Sequence, residues 1–156
     1  MEHGRHTHDH AGQSLNALAF AATVHCLTGC AIGEVLGMVL GTAFGWSNGP
    51  TLVASILLAF VFGYGLTSLP LVRSGMSAGQ VAPLAFASDT LSITTMEIVD
   101  TLIVVLIPGA LDAGLTDPLF WGSLAVALVI AGLAAYPVNR ILIARGKGHA
   151  VIHGLH

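Results

Sequence analysis

Apolar positions run almost unbroken through four stretches of the chain, roughly 15–44, 51–72, 78–107 and 119–144. Each exceeds the ~20 residues a helix needs to cross a hydrocarbon core. Between them lie "GWSNGP", "RSGMSAG" and "PGALDAGLTDP", where Gly and Pro disfavour helix continuation and the chain must turn. The first stretch lacks a short apolar core followed by a small-residue cleavage site, so it reads as a permanent helix rather than a signal peptide. The pattern predicts an all-α integral membrane bundle of four transmembrane helices over 15–144, flanked by histidine-rich tails at 1–14 and 145–156.

Composition agrees. Of 156 residues 54% are hydrophobic and only 8% charged, and a mean hydropathy of +0.84 lies outside the range of soluble domains. Lys and Arg are retained on the cytoplasmic side of membrane proteins. With four spans, Arg5, Arg73, Arg140, Arg145 and Lys147 all fall on one face, while the opposite loops hold Asp112 and Asp117 and no cation. Both termini are then cytoplasmic; three or five spans would scatter the cations. The net charge of -3 leaves no basic footprint for nucleic acid.

Chemistry enters with the first helix. Gly29, Gly33, Gly37, Gly41 and Gly45 recur every fourth residue, a small-xxx-small seam that lets another helix approach closely. That helix belongs either to the same bundle or to a second copy; a homo-oligomer contact through Gly29, Gly33, Gly37 and Gly41 stays open beside internal packing. Next to the seam run Cys26, Cys30, Glu34 and Met38, also four apart, with His25 at the cytoplasmic end. Two cysteines on one helical face are poorly placed for an unstrained disulfide. Buried cysteines often serve as small packing residues. Thiol, thioether and imidazole nevertheless suit soft or borderline ions such as Cu(I) and Zn(II), and carboxylates harder ones. The spacing matches no established metal signature.

The third helix is the costliest. "FASDTLSITTMEIVDTL" puts Asp89, Met96, Glu97 and Asp100 in one span among Ser88, Ser92, Thr94 and Thr95. With Glu34, its three carboxylates approach ~10 kcal/mol of insertion cost unless compensated. Arg73 and Arg140 lie at the membrane edge, whereas Asp89 sits ~16 Å along its helix. Protons, water or a captured cation remain as compensation. Asp89, Ser92, Met96 and Asp100 share a helical stripe, with Glu97 to one side. The first and third spans run in the same direction, so Cys26 matches Asp89 in depth and Glu34 matches Glu97 and Asp100. Facing stripes would form a column across the bilayer. The plainer alternative is a set of protonated carboxyls hydrogen-bonded to Ser and Thr that only holds helices together.

The other helices offer less. Tyr64, Thr67 and Ser68 precede Pro70, which is expected to kink or end its helix. Tyr136 and Asn139 read as interface anchors beside a kink. His3, His6, His8 and His10 form a flexible tract, and His149, His153 and His156 would align on one helical face; imidazole is a common transition-metal ligand.

The run from "HCLTGCAIGE" through "FGYGLTSLPL", "DTLSITTMEIVD" and "PVNRILIARGKGHAVIH" resembles a family of small bacterial integral membrane proteins built on a domain of unknown function. The likeness covers residues ~25–153 and implies the same span count. It carries no activity and no functional residues.

The residues therefore set the expectation. It is binding and transport of a transition-metal ion, copper ahead of zinc, nickel or iron, across a bacterial inner membrane, with the lipid bilayer as the surrounding partner. His25, Cys26, Cys30, Glu34, Met38, Asp89, Met96, Glu97 and Asp100 would line the route, and His149, His153 and His156 would join His25 in an inner vestibule. Three alternatives stand beside it: a metal- or haem-dependent redox enzyme, a proton-coupled carrier of another solute, and an assembly partner docking through the glycine seam.

Overall fold

The computed structural model describes residues 7–145, with side chains from residue 15 onward. Among the described residues every regular element is helical: α1 (Thr7–Phe44), α2 (Asn48–Arg73), α3 (Ala78–Leu106), a short 3-10 turn (Ala110–Asp112) and α4 (Pro118–Ala144). The ends fall within a few residues of the apolar stretches, with one exception. α1 reaches back to Thr7 instead of starting near residue 15, because no proline interrupts that polar segment, and at 1.5 Å per residue its 38 residues span ~57 Å. Leu15–Phe44 of α1, the whole of α2 and the whole of α4 are long and apolar enough to cross a membrane. α3 is not among them, since three carboxylates and a run of Ser and Thr dilute its apolar content.

Local signals explain the helix starts and ends. At α3, Gln80 Oε1 accepts from the Ser77 backbone N–H and hydroxyl at 3.1 and 3.2 Å, within a capping box. At α4, the Asp117 carboxylate accepts from Leu119 N at 2.9 Å, and Pro118 occupies the first helical position, where a missing N–H costs nothing. α1 ends at Gly45, whose φ of +65° is left-handed and whose surroundings are open. Gly45 is thus a terminator and not part of the seam. Pro70 lies in the last turn of α2, which ends at Arg73, and Pro83 and Pro137 sit inside α3 and α4.

The helices pack as a square. α1 lies on α2 and α4, α3 lies on the same two neighbours, and α1 touches α3 across the middle. Small residues on two corners make that diagonal contact feasible. α2 buries Thr51, Ser55, Ala59, Gly63 and Thr67 at every fourth position, and α4 buries Ser123, Ala127, Ala131, Ala135 and Asn139 likewise. Into the space they leave, α1 and α3 press Cys26, Cys30, Ile93 and Met96.

The glycine seam is consumed by this packing. A Cβ at Gly29 would stand 2.7 Å from Gly63 Cα; at Gly33, Gly37 and Gly41 it would collide with Ala59, Ser55 and Thr51. The partner of the seam is α2 of the same chain, so Gly29, Gly33, Gly37 and Gly41 offer no surface to a second copy. On the outside, Val53, Leu57, Val61, Phe86, Leu91, Val129 and Leu133 are exposed, as expected where lipid replaces a partner.

Candidate functional site

Thiol, thioether and carboxyl groups from α1 and α3 meet along the diagonal in a column that starts near the arginine-bearing end. There Arg140 Nε donates to Asn16 Oδ1 at 2.8 Å, joining the end of α4 to the start of the α1 span. One turn inward, Asn139 Nδ2 donates to Thr23 Oγ1 at 2.9 Å, and the Thr23 hydroxyl donates to Ala19 O at 2.8 Å. Asn139 is buried and satisfied, a brace between α1 and α4 and not the interface anchor its sequence position suggested.

Next come His25 and Asp89. Asp89 Oδ1 accepts from Ser88 Oγ at 2.8 Å, with the Thr67 hydroxyl of α2 and the His25 ring nearby. Asp89 Oδ2 and His25 Nε2 are buried without a hydrogen-bond partner. Deeper, the Cys26 thiol lies beside Ser92, whose hydroxyl is fully enclosed and does not make a good hydrogen bond. At the next step Cys30 Sγ and Met96 Sδ are 3.9 Å apart, 1% and 0% exposed, with the Glu97 carboxyl against the same thiol. Last, the Glu34 and Asp100 carboxyls come within hydrogen-bonding reach of each other, with Glu97 close behind.

Sequence depth and phase placed these pairs well: Cys26 faces the Asp89–Ser92 turn and Glu34 faces Asp100 and Glu97, as equal distance along two parallel helices requires. Asp89, Glu97 and Asp100 are at most 6% exposed. Glu34 Oε1, Glu97 Oε1 and Asp100 Oδ1 are all buried and unpartnered, and among the described residues no arginine stands near any of the four carboxyls. Orphaned buried carboxyl oxygens are expensive. Two carboxyls in contact also need a proton or a cation between them.

Beyond this pair the column opens into a cavity of about 350 Å³ at the end away from the arginines. Glu34 and Asp100 form its floor, Met38 part of its wall, and Trp46, Asn48 and Asp112 belong to its mouth. Asn48 Nδ2 donates to Asp112 Oδ1 at 2.7 Å, tying the α1–α2 loop to the α3–α4 connection.

Among the described residues no three His, Cys, Asp or Glu side chains converge as a metal would require. Eight of the expected ligands are strung along the column, and Met38 stands apart in the cavity wall. His149, His153 and His156 lie outside the described residues, as do His3 and His6 and the side chains of His8 and His10. Sequence reading passed over Thr67, Thr23 and Asn139 as parts of the site. Their signal was present: Thr67 continues the every-fourth stripe 51, 55, 59, 63 on α2, and Asn139 continues 123, 127, 131, 135 on α4.

A family model described as a domain of unknown function (DUF4396) matches residues 16–148. The chain belongs to that family. The match begins where the α1 span begins and covers all four helices, so the column and cavity lie wholly within the DUF4396 domain. Neither a curated protein nor a solved structure matches the chain.

Proposed function

We propose that the protein carries a soft transition-metal cation, copper ahead of zinc, nickel or iron, across a bacterial inner membrane along the α1–α3 column. In this reading α3 is the fourth span and both termini are cytoplasmic. α2 ends in Arg73, the α4 helix is followed by Arg145, and the chain between them must recross. α3 also turns Phe86, Leu91, Ile98, Leu102 and Val105 outward, each more than half exposed, a face suited to lipid and not to water.

The observation that carries the reading is the Cys30–Met96 step. Two sulfurs ~2.3 Å from one ion stand about 3.8 Å apart at the tetrahedral angle, close to the 3.9 Å found here, and the unpartnered Glu97 oxygen lies beside them. Each step of the column offers two or three donors and none offers a closed cage. That suits passage, which needs sites able to hold an ion and then release it. Sulfur at mid-depth favours a soft ion, and the carboxyl pair at the cavity floor supplies a cationic attraction where the ion leaves water.

Metal content of the purified protein after loading with Cu(I) tests this directly. Close to one equivalent is expected in the wild type, and at least a tenfold loss of affinity in a Cys30→Ser, Met96→Leu variant of unchanged helicity. Wild-type protein that takes up no metal overturns the proposal.

A second reading, a carrier of another solute, is favoured by one observation: the cavity is larger than an ion requires.

A further inference from the structure

We infer that the cavity at the α1–α2 loop end is a binding site for a small organic monocation, an ammonium group carried on an apolar body. Size excludes a bare ion as its natural occupant. A water claims ~30 Å³ of liquid volume, so six around an ion fill only about half of the 350 Å³, which lies instead within the ~300–1,000 Å³ of small-molecule pockets.

The lining fixes the chemistry. Met38, Val104, Phe120 and Leu124 form apolar walls, and among the described residues no Lys or Arg lines the space. At the floor, Asp100 is 6% exposed with Oδ1 unpartnered, and Glu34 adds the unpartnered Oε1. An ammonium carries three N–H donors and no acceptor, so one such group at the floor can donate to both carboxyls. Its hydrocarbon portion then lies against the walls. A neutral alcohol of the same shape would bring one donor and no charge; an anion would meet only carboxylates. Trp46 and Asp112 at the mouth add an aromatic face and a third acidic group on the approach.

The inference rests on the cavity and its floor, and not on passage of a metal. Trp46 makes it measurable, because the chain has two tryptophans and Trp121 is absent from the lining. The full chain carrying Trp121→Phe, in detergent micelles at pH 7, is titrated with phenethylamine and with 2-phenylethanol while Trp46 fluorescence is followed. Phenethylamine is expected to give a saturable change and to bind at least tenfold tighter than the alcohol. A Glu34→Gln, Asp100→Asn variant should lose at least tenfold in amine affinity. Thr42→Phe at the exposed mouth, which retains both acids but narrows the space, should weaken binding as well. Equal binding of amine and alcohol, no saturation, or amine binding unchanged by Thr42→Phe would overturn the inference even where the acid variant does not fold. Copper stoichiometry is read separately: a chain that loads copper but ignores the amine refutes this site alone, and one that binds the amine without metal refutes the transport reading alone.

Discussion

Two stripes run side by side along α1 with the same four-residue spacing, and they have opposite fates. The glycine stripe meets α2 so closely that no Cβ fits at Gly33; the contact there is close backbone approach between small residues. The neighbouring stripe of Cys26, Cys30 and Glu34 meets α3 through groups that leave polar atoms unpaired. One interface is optimised for holding together. The other buries polar groups that packing does not need. Identical periodicity thus says that a face is buried, and residue type says whether that burial pairs every group or leaves polar atoms without partners.

That contrast can be broken from either side. The largest effect is expected at the seam: Gly33→Leu drives a side chain into the Ala59 backbone of α2, an overpacking of about 3 kcal/mol or more, visible as lost folded yield and a collapsed Tm in detergent. On the polar stripe the sign should reverse. Asp100→Leu removes an intramembrane carboxylate and should raise stability or insertion efficiency by up to ~3 kcal/mol, while abolishing metal uptake in vesicles; a variant both destabilised and fully active would contradict the division of roles. Smaller still is the brace. Asn139→Leu deletes the bond to Thr23 and should cost about 0.6–1.7 kcal/mol by chemical or steric unfolding, with uptake retained. Least of all, Leu133→Ala on the outer face, 71% exposed, should shift stability by less than about 0.5 kcal/mol and leave both activities alone.

Much of this architecture was readable from residue order because depth in a helix is fixed by rise per residue. α1 and α3 run parallel, so the pairing of Cys26 with the Asp89–Ser92 turn and of Glu34 with Asp100 followed from counting. Azimuth is different. Which neighbour fills the glycine seam depends on how all four helices share small residues, and the matching stripe on α2, Thr51 to Thr67, gained meaning only when set against α1. The expected column follows the same rule as depth: side chains four apart on a helix are separated by ~6 Å of rise, so the candidate ligands of α1 and α3 fall in successive steps. The cavity was invisible in the sequence because it is space left between Gly41, Ser55 and Ser123, residues notable for what they lack. Asn139 was misjudged for a related reason: beside Pro137 and Arg140 it looked like an edge residue, whereas its phase carries it inward.

The tight join between α1 and α2 has a mechanical corollary. With Gly29 and Gly63 in backbone contact, α1 and α2 cannot part without losing close contact along the whole stripe, whereas α1 and α3 share a far looser boundary. The hydrogen bond between Asn48 and Asp112 is therefore the stitch that ties the α1–α2 pair to the α3–α4 pair at the rim.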